Sequence, residues 1–394
     1  MDTDICIDHL AHGRSPLRLA VVTETYPPEV NGVAHTLHQL VKGLVDRGHT
    51  VQLVRPRQRT DLPTANESEV LMRGMPLPRY PGLRMGLPCK RKLLQLWSVQ
   101  RPDVVHIATE GPLGWSALRA ATQLRIPVTS DFRTNFHAYS RHYGMGLMVK
   151  TILMVLRKFH NATQLTLVPT PDVKQQLDLL GFKRLSIVGR GVDTGVFSDR
   201  HRSAVCRARW GADDNTWVWL CVGRLAPEKN WELAVQAFQA VKQQQPNSRL
   251  VFVGDGPREA ALRRLCPEAW FEGVLTGQAL AGVVASCDGM LFPSLTETFG
   301  NVVIEGMASG LPVVAFRQAA AADLIVSGEH GHVAEVGDDQ GFIKAAVTLS
   351  CQPEWARQQG RQAVRRVASR TWSAIAQQME THWARLLSQA KPAV

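Results

Sequence analysis

Two glutamates, Glu297 and Glu305, stand eight residues apart in the stretch Ser294 to Phe316, with Phe299-Gly300-Asn301 between them. Gly310-Leu311-Pro312 and the apolar run Val313-Val314-Ala315 follow. This order predicts a loop, a helix, a tight turn and a buried strand. The loop ends at Gly300, where the missing Cβ lets a ligand approach the backbone. Asn301 is the expected N-cap, with Val302 to Ser309 forming the first helical turns. A helix that starts at a glycine offers unpaired N–H groups and a partial positive charge, which suits a phosphate. Glu305, about one turn into that helix, and Glu297, just ahead of it, can face the same ligand. Carboxylates accept the paired hydrogen bonds that vicinal hydroxyls of sugars and ribose donate. A phosphate site flanked in this way describes a nucleotide-sugar pocket.

A second group carries the opposite charge. Thr216–Val222 reads as a strand and is followed by Gly223-Arg224-Leu225-Ala226-Pro227-Glu228-Lys229-Asn230 and a helix containing Leu233, Val235 and Phe238. Two cations on such a loop can bracket a diphosphate, the arginine by a forked contact and the lysine as a point charge. Ordinary surface charge is the plain alternative. Arg249–Val253 is another strand, ending in Gly254-Asp255-Gly256-Pro257; Glu259 breaks the dinucleotide fingerprint there, so no NAD site follows. Near the N-terminus, Arg18–Thr23, the loop Thr25–Gly32, a helix with Val33, Leu37, Leu40, Val41 and Leu44, and the strand Thr50–Val54 form a βαβ opening. Gly32 is either a second anion site at a helix start or a plain turn glycine. Asp131-Phe132-Arg133-Thr134-Asn135-Phe136-His137-Ala138-Tyr139 follows the strand Pro127–Ser130 and falls at the carboxyl edge of the sheet, where polar side chains point towards ligand.

Taken together, E-x7-E with the F-G between, followed by E-G-M-A-S-G-L-P-V-V-A, resembles the signature of glycosyltransferase family 4, retaining enzymes of GT-B architecture. Gly223-Arg224-Leu225-x-Pro227-Glu228-Lys229 is similar to that family's phosphate loop, and the likeness spans about residues 17 to 388. The resemblance implies an α/β fold of two Rossmann-like domains facing across a cleft, with a C-terminal helix crossing back to the first. It places an acceptor-binding domain at 17–195, a nucleotide-sugar-binding domain at 196–370 and the returning helix at 371–388. It assigns Arg224 and Lys229 to the leaving diphosphate, assisted by the amides after Gly300 and by the Gly32 loop, Glu297 to the donor sugar and Glu305 to the ribose. Gly254, Val274, Phe299, Gly300, Asn301 and Val302 join the donor site, Val274 at the nucleobase edge. Many relatives carry a histidine where this chain has Arg133, so either Arg133 or His137 takes that role.

The reaction implied is transfer of a hexose from a nucleoside diphosphate sugar with retention, and GDP-mannose with a lipid or lipid-linked glycan acceptor is the reading. UDP-glucose is the alternative donor. A non-catalytic nucleotide-sugar-binding module has less need of all four charged residues, and a phosphorylase would call for a pyridoxal phosphate lysine that does not stand out. No cofactor and no metal is expected, since the sequence has no interior D-x-D motif.

Composition frames these readings. At 394 residues, 45% of them hydrophobic, the chain is long enough for two or three domains and too apolar for extensive disorder. No run reaches the roughly 18 apolar residues of a membrane span. Residues 1–16 read as a disordered lead whose acidic start lacks a signal peptide's features. Seven scattered cysteines without a CxxC pair indicate reduced thiols and a cytoplasmic protein. A net charge of +11 suits diphosphates and the anionic inner face of a membrane, and the missing ladder of aromatic and basic residues argues against nucleic acid. Residues 56–100 read as an irregular Pro, Gly and Arg-rich segment, forming an acceptor or membrane surface or else a solvated insertion. Tyr143–Phe159 suits either a buried helix or one at a membrane interface.

Overall fold

The structure, a computed structural model, describes residues 16–29, 31–58, 61, 68–76, 84–133 and 146–390. The strands are β1 (Arg18–Val22), β2 (Thr50–Pro56), β3 (Glu69–Met72), β4 (Gly74–Pro76), β5 (Arg84–Gly86), β6 (Val104–Ile107), β7 (Val128–Asp131), β8 (Leu165–Val168), β9 (Leu185–Ile187), β10 (Trp217–Val222), β11 (Ser248–Val253), β12 (Trp270–Phe271), β13 (Gly289–Phe292), β14 (Val313–Phe316) and β15 (Gly331–Ala334). The helices among the described residues are α1 (Gly32–Asp46), α2 (Lys90–Val99), α3 (Pro112–Gln123), α4 (Gly146–His160), α5 (Pro171–Leu179), α6 (Ala204–Arg209) and α7 (Trp231–Gln244), then α8 (Glu259–Leu265), α9 (Gly277–Ala285), α10 (Asn301–Ala308), α11 (Ala319–Leu324), α12 (Asp339–Cys351), α13 (Pro353–Val367) and α14 (Trp372–Ala390).

Two parallel sheets result, each built by βα alternation. One runs β3-β2-β1-β6-β7-β8-β9 and the other β12-β11-β10-β13-β14-β15, with β4 and β5 forming a small antiparallel pair. The chain divides into two compact units. Met1–Asp131, Ala162–Gln164 and Arg385–Val394 form one, and Phe132–Asn161 with Leu165–Ala384 the other.

Strand β10, Trp-Val-Trp-Leu-Cys-Val, is buried at every position, as expected for a central parallel strand covered on both faces. Helix α7 lays Trp231, Leu233, Ala234, Val235, Phe238 and Val241 into the same core. The stripe Trp372, Ile375, Met379 and Trp383 of α14 is buried, as its helical spacing indicated. No helix among the described residues is long and apolar enough to cross a membrane.

One sequence reading changes. The described part of 56–100 is not irregular: it holds β3, β4, β5 and α2, because Leu93 and Trp97 give α2 a buried face and Trp97 Nε1 donates to Gln52 Oε1 at 2.9 Å. Helix α4 is neither wholly buried nor wholly exposed. Leu156 and Phe159 are buried, Leu156 in a cluster with Phe132, Val168, Leu177 and Phe182, while Lys150, Met154, Val155, Arg157 and Lys158 face outward.

The loop after β10 is set by two glycines of the neighbouring strand. A Cβ on Gly254 (φ +129°) would stand 2.1 Å from the Gly223 carbonyl oxygen, and one on Gly256 (φ +152°) 2.4 Å from that of Leu225. The absent side chains let Leu225 N–H donate to the Asp255 carbonyl at 2.6 Å. Gly254→Ala should lower stability by at least about 2 kcal/mol, since collision adds to an unfavourable φ. Gly277→Ala (φ +55°, open space around) should lose only the left-handed backbone cost of roughly 1 kcal/mol. Urea midpoints compare the two, and equal losses would refute the collision.

Candidate active site

In the second sheet β10, β13 and β14 are neighbours, and their carboxyl ends carry the segments 223–230, 293–300 and 317–320. Parallel order therefore brings together residues that lie about 70 to 95 positions apart in the sequence. The first segment holds Pro227–Lys229 as a single 3-10 turn closed by Asn230 in the left-handed region (φ 55°), a conformation asparagine tolerates. Trp231 Nε1 donates to the Arg224 carbonyl at 3.0 Å and fixes the start of α7.

Lys229 Nζ forms an ion pair with Glu297 Oε1, both side chains being largely buried. Ser294 Oγ donates to the same Oε1 at 2.9 Å. The lysine ammonium also lies 5.2 Å from the centre of the Phe292 ring, a cation–π contact. Arg224 pairs with Glu228 while keeping more than half of its side chain exposed, 58%. Burial alone would raise the Glu228 carboxyl, but its own backbone amide and the Arg224 guanidinium outweigh that and hold it below the usual range. The Glu228 carbonyl accepts Leu295 N–H at 2.9 Å, which ties the first segment to the second.

Helix α10 begins at Gly300, left-handed with φ +89°, and has no side-chain cap. Asn301, expected as the cap, is instead the first helical residue, because only the glycine readily takes the turning conformation. The first-turn amides are thus not covered by a capping side chain, which is the arrangement an anion needs. Glu305 lies one turn in, with no ion pair or hydrogen bond from its carboxyl among the described residues. Burial pushes that carboxyl up to about 7. A desolvated acid without a donor is what a pair of hydroxyls would satisfy.

The remaining expected residues are placed as follows. Val302 is half-buried beside Asn301 on the first turn of α10, and Val274 is exposed on the loop after β12. Phe299 is buried in the core, and its carbonyl accepts Ala320 N–H at 2.9 Å, so it anchors the loop and offers no side chain to a ligand. Gly254 is taken up by the approach to Gly223 described above. Gly32 opens α1, and Asn31 Oδ1 accepts Val33 and Ala34 N–H at 3.1 and 2.8 Å, so a side chain takes two amides of that first turn. The Arg133 side chain is buried, and its carbonyl accepts from Thr298 Oγ1 at 3.4 Å. His137 lies outside the described residues. No group of acidic, histidine and cysteine side chains among the described residues is arranged to hold a metal.

Sequence reading missed Ser294, Gln318, Phe292, Glu228 and Asn31. The spacing Ser294-x-x-Glu297 is a turn signal that could have pointed to the first. In the first unit it also missed Glu24, whose carboxylate accepts Leu113 N–H at 2.9 Å and also Gly86 N–H; burial holds this acid above its ordinary range despite those donors.

Two family descriptions match the chain, "Glycosyltransferase Family 4" over residues 30–196 and "Glycosyl transferases group 1" over residues 216–352. Over 377 residues the chain is 33% identical to a GDP-mannose-dependent alpha-mannosyltransferase of Mycolicibacterium smegmatis, covering 94% of this chain and 98% of that protein. It is 30% identical over 345 residues to a sulfoquinovosyl transferase of Arabidopsis thaliana, covering 85% of this chain and 67% of that one. Sucrose-phosphate synthase from Thermosynechococcus elongatus superposes with a TM-score of 0.77 at 20% identity, covering 95% of this chain and 100% of that structure. That likeness bears on the fold alone, which is the GT-B class that the sequence led us to expect.

The Glu305 acid makes a pH test. Its folded value, about 7, lies above the ordinary 4.5, so the native state keeps a proton that the unfolded chain gives up between these values. Its contribution to stability is present below pH 4.5 and is lost as pH rises through 7, by roughly 3 kcal/mol at most. Glu305→Gln should therefore gain on the wild type between pH 4.5 and pH 8 in urea unfolding. An unchanged gap at the two pH values would refute the burial of this carboxyl.

Proposed function

Because this chain belongs to glycosyltransferase family 4, and so moves a sugar from a nucleotide sugar, we propose that it is a retaining mannosyltransferase that takes mannose from GDP-mannose. The observation that carries the reading is the Lys229–Glu297 pair standing beside an uncapped helix start and the unpartnered Glu305. In the proposed mechanism the nucleotide's diphosphate meets Lys229, Arg224 and the first amides of α10. These fixed charges stabilise the departing pyrophosphate as the glycosidic bond breaks. Glu297 receives hydroxyls of the transferred sugar and Glu305 those of the ribose. Arg224 exchanges Glu228 for phosphate, which its exposed position allows at little cost. Arg133 completes the sugar end. The charge comes from side chains and amides, so no metal is required.

GDP-mannose is favoured over UDP-glucose by the mannosyltransferase relative, whose likeness runs through nearly the whole of both chains. An α-linked product from an α-linked donor preserves the anomeric configuration. In this reading residues 17–195 hold the acceptor and 196–370 the donor. The acceptor is a lipid or lipid-linked glycan, met at the inner face of a membrane. The outward side of α4 supports this: Met154, Val155 and the adjoining Leu179 are exposed at 56, 43 and 83%, beside Lys150, Arg157, Lys158 and Lys183.

Lys229→Ala and Glu297→Ala should each lower turnover of GDP-mannose by about a hundredfold or more in protein that still folds, although the charge left unpaired lowers the melting temperature. Wild-type turnover should survive EDTA. Unchanged turnover in either variant would sink the assignment. GDP should raise the melting temperature more than UDP or ADP at equal concentration, as a ligand of the native state alone does. A larger shift with UDP would transfer the proposal to a UDP-sugar, and co-sedimentation no better with anionic than with neutral vesicles would remove the membrane from it.

A further inference from the structure

All of the contacts that Glu297 makes among the described residues fall on one oxygen. Oε1 takes Lys229 Nζ and Ser294 Oγ, the latter at 2.9 Å, and Oε2 takes none. A carboxylate held by two donors on one oxygen has its plane and its second oxygen fixed before any ligand arrives. Ser294 is buried, at 1% exposure, so its hydroxyl does not exchange this partner for bulk water. Its carbonyl in turn accepts Gln318 Nε2. Gln318 stands at the start of α11, two residues after β14, and its backbone N–H donates to the Phe316 carbonyl at 2.8 Å. The next residue, Ala319, sits at φ +48°, a left-handed conformation that a side-chain-bearing residue keeps only under constraint. The constraint is visible one residue on, where Ala320 N–H is tied to the Phe299 carbonyl.

We propose that Ser294 and Gln318 are positioning residues of the transfer: Gln318 fixes the Ser294 backbone, and the Ser294 hydroxyl holds Glu297 with Oε2 open to the donor sugar. This rests on the reading that Glu297 meets that sugar. The chain of contacts runs from the end of β14 through the loop after β13 to Lys229 on the loop after β10, so three adjacent strand ends share one alignment device. Neither residue touches the ligand. Their loss acts on the angle of the carboxylate, and therefore on the rate of the chemical step more than on the holding of the nucleotide.

The test uses the full chain with GDP-mannose as donor and GDP as the nucleotide probe. Ser294→Ala should lower kcat about ten- to a hundredfold, the span of one hydrogen bond to a charged group, and leave the GDP dissociation constant within about twofold. Ser294→Thr, which keeps the hydroxyl, should recover most of the rate. Gln318→Glu keeps the side chain's shape but removes its donor; it should lower kcat in the same direction and serves as the second variant if Ser294→Ala does not fold. A crystal structure of Ser294→Ala should show the Glu297 carboxylate rotated. A carboxylate in its original place, or a full rate in Ser294→Ala while Glu297→Ala is inactive, would overturn the positioning role alone. A full rate in Glu297→Ala would instead overturn the reading of the site beneath it.

Discussion

The largely buried ion pair between Lys229 and Glu297 is the constraint around which the second sheet's carboxyl edge is arranged. Removing either partner leaves a charge without compensation in a poorly hydrated place, so the two are tied in a way that exposed pairs are not. Forming the pair requires two loops, 68 positions apart, to meet within side-chain reach. The parallel order of β10 and β13 supplies the coarse approach, and the bare backbones of Gly254 and Gly256 let the first loop settle against its neighbour. Phe292 and Ser294 then flank the charges with a ring face and a hydroxyl. The chemistry of the site is thus a consequence of sheet order and missing β-carbons as much as of its ionic residues.

Two helix starts that look alike in sequence differ in what they offer. Both α1 and α10 open beside a glycine. In α1 the preceding Asn31 turns its side-chain oxygen onto two amides, which stabilises the helix and spends the donors. In α10 the preceding residue is Gly300, which has no side chain to give. A helix that forgoes its cap is slightly less stable on its own account, and in exchange no capping side chain stands over its first turn. One residue type at one position separates a helix end closed by a side chain from one that is not.

Much of this was legible in the sequence. The alternation of strands and helices, the all-buried strands β10, β13 and β14 and the stripe of α14 follow from periodicity, which burial dictates directly. The charges at Arg224, Lys229, Glu297 and Glu305 were visible as residues. Their partners were not, because pairing across strand ends depends on sheet order, and Ser294 and Gln318 gain meaning only once β13 and β14 are neighbours. The cap at α10 was misread by one residue, since asparagine favours caps in general but glycine alone readily takes the backbone angle found here. The segment around α2 looked irregular because prolines and arginines outweigh its two inward side chains, Leu93 and Trp97, and the expected role of His137 lies outside the described residues.

Glu305 carries a last implication. An acid that burial lifts to about 7 would change character if hydroxyl hydrogens were brought to it, because those hydrogens favour the anion. Under the proposed role, taking in the substrate would mean shedding a hydrogen ion to the surrounding buffer. Occupancy would then be coupled to acidity without additional residues, and more of the protein would stand empty as the pH falls.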